Sequence, residues 1–224
     1  MSYLVETHFH TEDISPCGDV KIIEGLEAYK QAGYSAVMIS DHISTGYLNR
    51  YPGETYKEKI DFFLSAYKIG KEKCEDENFK VLLGMELRFD EEADNDYLVI
   101  GVDESFFYEN EWFTKWTQKE FKEYCDRHSM LLIQAHPFRK GMKVIQKRYL
   151  HGIEVFNGNV RHDSANDIAT LWAKKYELLT TSGSDFHEWE DLARGGMYFE
   201  TQICTSQQLR TEIMAGRYTL KTLI

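Results

Sequence analysis

Long apolar runs are missing from the chain. The longest, such as Ala36 to Ile39 and Met130 to Ile133, fall far short of the ~18–20 residues that span a bilayer, so no membrane span is expected. No basic stretch followed by an apolar segment opens the sequence, where Glu6 stands instead; no secretory or transit signal is read, and a cytoplasmic protein is expected. Four cysteines, Cys17, Cys74, Cys125 and Cys204, are scattered without a CxxC pair, which argues against a disulfide framework and for reduced thiols. Only three prolines occur, Pro16, Pro52 and Pro137. With no linker, low-complexity tract or internal repeat, residues 1–224 are read as one domain, since α/β barrels run to roughly 200–250 residues as a unit. Basic charge is scarce: 26 Lys and Arg face 37 Asp and Glu, a net charge of −11. An extended nucleic-acid surface needs clustered cations, so a small substrate fits better. G-x-S-x-G, P-loop and G-x-G-x-x-G motifs are all lacking, which removes the acyl-enzyme, nucleoside-triphosphatase and dinucleotide readings, and Ser182-Gly183-Ser184 reads as a tight strand exit.

What the chain does have is alternation. Strand-like segments Tyr3–Thr7, Ala36–Ser40, Val81–Gly84, Tyr97–Gly101, Leu131–Ala135, Gly152–Phe156 and Leu179–Ser182 are separated by stretches of helical periodicity: Ile22, Leu26 and Tyr29; Ile60, Phe63, Leu64 and Tyr67; Phe121, Tyr124, Cys125 and His128; Ile168, Leu171 and Trp172. Thr55 with Glu58, Thr117 with Glu120 and Thr205 with Gln208 have the spacing of reciprocal helix caps, and Gly216 closes the last helix. About seven strand–helix units predict a mostly parallel sheet, either a closed barrel or doubly wound. The aromatic group Phe106, Phe107, Tyr108, Trp112, Phe113 and Trp116 is expected to be core, with a pocket lid or oligomer interface as alternatives; the oligomeric state is left open.

Five of the eight histidines fall at strand ends. His8 and His10 end the first strand, His42 follows the second in Ser40-Asp41-His42, His136 precedes Pro137, and His187 lies in Ser184-Asp185-Phe186-His187. Glu86 follows Val81–Gly84, and Asp96 opens Tyr97–Gly101. Singly, each is a loop tip or a helix cap; jointly, at the rim where parallel barrels place active sites, they point to a polynuclear metal site. Residues two apart in an extended segment share a face, so His8 and His10 can serve one ion. Imidazole and carboxylate donors suit Zn, Mn or Fe. His128 sits at core spacing on a helix, His151 in a turn and His162 at a helix start or rim, and none is taken as a ligand.

In this ordered set the sequence resembles the PHP (polymerase and histidinol phosphatase) metallophosphoesterases over almost its whole length. Thr7-His8-Phe9-His10-Thr11 looks like the family's opening HxH, Ser40-Asp41-His42 its second motif, Glu86 its bridging carboxylate, Gln134-Ala135-His136-Pro137-Phe138-Arg139 its third and Gly183-Ser184-Asp185-Phe186-His187 its last. The resemblance implies a distorted (β/α)7 TIM-like barrel with two to three divalent ions. His8, His10, Glu86 and Asp185 would hold the first, Glu86, Asp96 and His136 the second, and His42 and His187 the third. Two departures stand out. Asp96 occupies a place where relatives often carry histidine, which would favour harder metals, and the third ion's further ligand after HxH has only Asp13 and Cys17 as candidates.

The expected activity is hydrolysis of a small phosphorylated metabolite or nucleotide by attack of metal-bridging hydroxide. Glu86 and Asp185 would position the metals and orient water, with His187 or Asp41 as proton donor to the leaving group. Arg139 and Arg194 would bind the phosphate, followed by Arg161 and Lys140. The alternatives are an amidohydrolase-type metal hydrolase, for which no strand-end lysine is present, and a metal-binding regulatory module without catalysis.

Overall fold

A computed structural model describes residues 2–91 and 94–223. Its strands are β1 (Tyr3–Phe9), β2 (Ala36–Ile39), β3 (His42–Ile43), β4 (Lys80–Leu83), β5 (Met85–Leu87), β6 (Tyr97–Ile100), β7 (Leu131–Gln134), β8 (Gly152–Asn157), β9 (Leu179–Gly183), β10 (Gly195–Phe199) and β11 (Thr219–Thr222). Its helices are α1 (Ile22–Gln31), α2 (Thr45–Arg50), α3 (Tyr56–Phe63), α4 (Ser65–Cys74), α5 (Glu104–Glu109), α6 (Gln118–His128), α7 (Asn166–Tyr176) and α8 (Ser206–Met214). The seven expected strands are all present, and reciprocal caps form at Thr55/Glu58 and Thr117/Glu120. At Thr205 only the forward half forms, its hydroxyl accepting from the Gln208 N–H.

The strands make two mixed sheets, ordered β11-β10-β1-β2-β4 and β3-β5-β6-β7-β8-β9. Two seams join them. On one side the paths β2 to β3 and β4 to β5 bend at Ser40-Asp41 and at Gly84, and Glu86 N–H still reaches the Asp41 carbonyl at 3.1 Å. On the other, Phe9 and Phe186 form an isolated parallel bridge, with Phe186 N–H donating to the His8 carbonyl and His10 N–H to the Phe186 carbonyl. Glycine is required at this second seam. A Cβ on Gly183 would lie 2.4 Å from His8 Cβ, and one on Gly195 would lie 2.2 Å from the Gly183 backbone.

The expectation of a mostly parallel sheet needs correction. β6 runs antiparallel to both β5 and β7, and β10 antiparallel to β1 and β11. The β5–β6 connection, residues 88–96, is shorter than the dozen or so residues that a parallel crossover needs. Three helical expectations also shift. The Ile60–Tyr67 periodicity is split between α3 and α4 at Leu64. α7 buries Ala169 and Ala173, small side chains that let it lie close on β8, and leaves Ile168 and Leu171 outside. His128 is exposed rather than core: Phe121 and Cys125 face inward, while His128, in the last turn, stacks on Tyr124 with ring centroids 3.9 Å apart. Phe106, Phe107 and Phe113 are buried core, and Tyr108, Trp112 and Trp116 pack against it.

His151 shows why a turn histidine can matter without touching the site. Its Nδ1 accepts the Leu132 N–H at 2.9 Å and its Nε2 faces Asp126 at 3.0 Å, so the ring can take a second proton only by breaking the bond to β7. Burial, with Lys122 nearby, pushes it down to about 4 from 6.5. Between those values the unfolded chain binds a proton that the folded chain refuses; this stability is present above about pH 6.5 and lost as pH falls toward 4. Urea unfolding from pH 7 to 4 should show a loss of about 3 kcal/mol that is absent in His151→Gln. Parallel curves for the two proteins would contradict it.

Candidate metal centre

The site grows out of β1. Alternate residues of an extended strand share a face, so Glu6, His8 and His10 all point inward, and all are fully buried. Glu6 accepts from His8 N–H and from both the N–H and Oγ–H of Ser184, which fastens β1 to the turn carrying Asp185. Burial pushes the Glu6 carboxyl upward. His8 and His10 then meet Glu86, which projects from the middle of β5. His8 Nε2 lies 3.4 Å and His10 Nε2 3.1 Å from Glu86 Oε2, His42 Nδ1 reaches the same oxygen at 2.9 Å, and His136 Nε2 reaches Oε1 at 3.1 Å. One carboxylate thus touches four imidazoles from three parts of the chain. Asp185 Oδ1 closes the other side, 3.3 Å from His8 Nε2 and 3.5 Å from His10 Nε2.

His136 and Asp185 both have left-handed backbones, with φ of 30° and 50°. Such conformations cost about 1–3 kcal/mol each and persist where surrounding bonds enforce them. Here His136 N–H is held by Glu154 and Asp185 by Arg139.

Electrostatics follow from this crowding. Burial pushes the Glu86 and Asp185 carboxyls up, but the histidines around them outweigh it and hold both well below the usual carboxylate range. His8 and His42 move the opposite way: burial disfavours their charge, yet Asp185, Glu154 and Glu86 around His8, and Glu86 beside His42, hold them well above the usual histidine value. Several polar atoms are nevertheless unsatisfied. His8 Nε2, His10 Nε2, Glu86 Oε2 and His136 Nδ1 are buried without a hydrogen bond. Four groups bring ligand atoms within 4.8 Å of one another: His8, His10 and Glu86; His8, His136 and Asp185; His42, Glu86 and Asp96; and His10, His42 and His187. Orphaned imidazole nitrogens and carboxylate oxygens converging in a buried space form a donor set suited to divalent transition-metal ions.

The remaining expected residues are placed more variously. Asp96 precedes β6, and the antiparallel course of that strand brings it to the same rim; both its oxygens are gripped by Arg88 at 2.7 Å. Asp41 lies behind His10 and is committed to the following loop, accepting from Thr11 N–H (2.7 Å), Thr11 Oγ1 (2.9 Å) and Ser15 Oγ (2.7 Å). His187 sits at the edge, its Nδ1 2.9 Å from the Asp185 carbonyl. Of the arginines, Arg139 touches the cluster, Nη2 lying 2.7 Å from Asp185 Oδ2. Arg161 is neutralised by Asp191 and Glu188, Arg194 donates Nε–H to the Gly158 carbonyl, and Lys140 is exposed. Asp13 accepts the Ile22 N–H at the start of α1, whereas Cys17 is a free, exposed thiol.

Glu154 was not anticipated. From the middle of β8 it takes His8 Nδ1 at 2.8 Å with one oxygen, and His136 N–H and Asn157 Nδ2 with the other. A carboxylate behind a histidine fixes its tautomer and leaves the far nitrogen free to ligate. Its signal was a lone acid within the apolar strand Ile153-Glu154-Val155-Phe156.

Fold and cluster together define an α/β protein with a buried His/Glu/Asp centre of metal-ligating type. The chain belongs to the PHP domain family, whose model matches residues 6–213. It is similar in fold to a two-domain protein containing a predicted PHP-like metal-dependent phosphoesterase from Bacteroides vulgatus, at 14% identity and TM-score 0.66, covering 100% of this chain and 65% of that one. PsfC from Pseudomonas syringae is similar at 16% identity and TM-score 0.69, covering 94% and 88%. Endonuclease Q, solved with a 27-mer duplex substrate bearing an abasic lesion, is similar at 18% identity and TM-score 0.61, covering 96% and 57%. This chain therefore spans just under two thirds of the Bacteroides protein. No curated protein matches the sequence. Among the described residues no helix is long and apolar enough to cross a membrane.

Proposed function

We propose that the protein is a metal-dependent phosphoric ester hydrolase acting on a small phosphorylated metabolite or nucleotide, on a scaffold whose two sheets act as a distorted barrel. The observation that carries it is Glu86, a buried carboxylate within 3.4 Å of four imidazole nitrogens, two of them without a hydrogen bond. His8, His10, Glu86 and Asp185 would hold one ion, Glu86, Asp96 and His136 a second, and His42 and His187 a third, with Zn, Mn or Fe as the chemical range. When bound, such ions polarise a phosphoryl oxygen, acidify water and stabilise charge on the attacking and leaving oxygens.

The chain's own groups do the rest. Glu154 orients His8, Glu6 and Ser184 orient the Asp185 turn, and Arg139 stands beside Asp185 as the cation nearest to an incoming phosphate. His187, at the rim, is better placed than Asp41 to hold a proton for the leaving group. A net charge of −11 favours a compact anion over a long polyanion, because a polyphosphate backbone would meet repulsion over most of the surface.

The test is elemental analysis of the purified protein beside a screen of phosphorylated metabolites. At least two transition-metal ions per chain are expected, with phosphate release lost on chelation and restored by Zn, Mn or Fe. Full turnover by metal-free protein would end this reading.

A further inference from the structure

Two arginines stand on the rim beside His42. Arg88 follows Glu86 by two residues, and the strand pairing carries on past β5, with Arg88 N–H donating to the Ile43 carbonyl at 3.0 Å. The side chains of Glu86 and Arg88 therefore share a face. Arg88 Nε and Nη2 hold the two oxygens of Asp96 at 2.7 Å each, and Asp96 brings a ligand oxygen within 4.8 Å of those of His42 and Glu86. This fork fixes the guanidinium beside the centre while using two of its five N–H donors, and it leaves Asp96 further lone pairs for an ion. The remaining walls come from α2 and the residue before it. Ser44, Gly46, Tyr47 and Arg50 enclose with Arg88 a cleft of about 220 Å³. The Tyr47 ring lies parallel to that of His42, with centroids 5.5 Å apart, so the cleft adjoins the centre. Arg50, exposed in the last turn of α2, has no ion-pair partner among the described residues. Two arginines and no acid line this cleft, a local exception in a chain of net charge −11. Its volume falls below the roughly 300–1,000 Å³ of a site for a whole small molecule. It suits a single anionic group.

We propose that Arg88 and Arg50 form an anion subsite for a second negatively charged group of the substrate, a phosphate or carboxylate set apart from the phosphoryl group at the metal centre. The inference rests on the metal-hydrolase reading and narrows its substrate class to phosphoesters that carry two anionic groups. Asp96 is the positioning residue for Arg88. Arg139, beside Asp185, is left to the phosphoryl group that reacts. Arg50 supplies the second charge, and its exposure lets it close on the anion from the solvent side.

Non-hydrolysable phosphonates separate this subsite from turnover. Calorimetric titration of the metal-loaded protein compares alkylphosphonates with ω-carboxyalkylphosphonates and α,ω-alkanediphosphonates of two to six carbons, whose lengths scan the distance between the two groups. At the best length the second anion is expected to tighten binding by roughly 10- to 150-fold, the worth of one charge-assisted hydrogen bond. A gain confined to the diphosphonates would identify the second group as a phosphate, and one confined to the carboxylates as a carboxylate. In Arg50→Ala and Arg88→Ala that gain is expected to shrink by about tenfold or more. Arg88→Lys keeps a charge but not the fork around Asp96, and should fall between. Metal content is measured on every sample; Arg50→Ala should keep the wild-type content, so its lost gain cannot come from an emptied centre. A gain that persists in both alanine variants, or no gain at any length in the wild type, would overturn the subsite, while metal-dependent binding of the simple alkylphosphonates would leave the metal-hydrolase reading standing. Wild-type protein that holds no metal and binds no phosphonate would overturn both.

Discussion

Replacing Glu86 by alanine is expected to empty the metal centre and reduce turnover by roughly 10²- to 10³-fold or more. Glu86 Oε2 faces His8, His10 and His42, and Oε1 faces His136. Removing it deprives two proposed ion sites of their shared anion and leaves four imidazoles crowded together with less negative charge among them. Breaking a buried charge pair from one side costs about 3–5 kcal/mol, and each 1.36 kcal/mol is tenfold in rate. Glu86→Gln should behave almost as badly, because it preserves shape but removes the negative charge that the surrounding histidines stabilise and on which ion binding depends. His128→Ala is the control, since that exposed ring only stacks on half-buried Tyr124 in the last turn of α6. Metal content by elemental analysis and kcat on the same samples decide the matter. Near-normal metal in Glu86→Ala, or equal loss in His128→Ala, would mean that the ligand set is differently built.

The parts of this centre that could be read from sequence are those for which chain direction is simple. His8, His10, His136, Asp185 and His187 sit in or just beyond strands that run the same way, so strand-end position alone grouped them. Glu86 came with them because β5 continues β4 past a bend at Gly84. Asp96 could be grouped but not understood: it precedes its strand, and only the antiparallel course of β6 explains how it reaches the same rim. The supporting residues were hidden for a different reason. Glu6 and Glu154 lie inside apolar strands, Leu4-Val5-Glu6 and Ile153-Glu154-Val155, where alternation alone does not say whether an acid faces solvent or the centre. Burial settles it, since an acid inside needs partners, and both have several. The two late strands β10 and β11 escaped notice because Gly195-Gly196 reads as a turn and Thr219–Thr222 is short and largely open to solvent.

Arg139 is where metal support and substrate recognition can be separated. Sequence alone assigned it to the phosphate, but the structure gives its Nη2 a prior engagement with Asp185 Oδ2 at 2.7 Å and with Asn157 Oδ1 at 3.0 Å, while its Nε is buried without a partner. Asp185 is itself buried and held in a left-handed turn. Arg139→Ala therefore leaves one carboxylate oxygen without its cation, a loss of about 3–5 kcal/mol if the pair behaves as a buried one. The first expected result is weaker metal binding by roughly 10- to 100-fold, the usual cost of losing an outer-shell partner. Arg139→Lys keeps a charge but not the guanidinium nitrogen that meets both Asp185 and Asn157, so it should fall between alanine and wild type. Saturating metal then isolates the second role. If the guanidinium also meets phosphate, KM stays raised by about 10- to 150-fold with metal fully bound, the equivalent of one charge-assisted hydrogen bond at 1.5–3 kcal/mol. Arg194→Ala is the contrasting variant: its Nε bonds a loop carbonyl, and metal affinity should stay within twofold of wild type. Metal dissociation constants and steady-state kinetics on shared samples give the answer. Unchanged metal affinity in Arg139→Ala would assign the arginine to substrate alone, and recovery of wild-type KM at saturating metal would assign it to Asp185 alone.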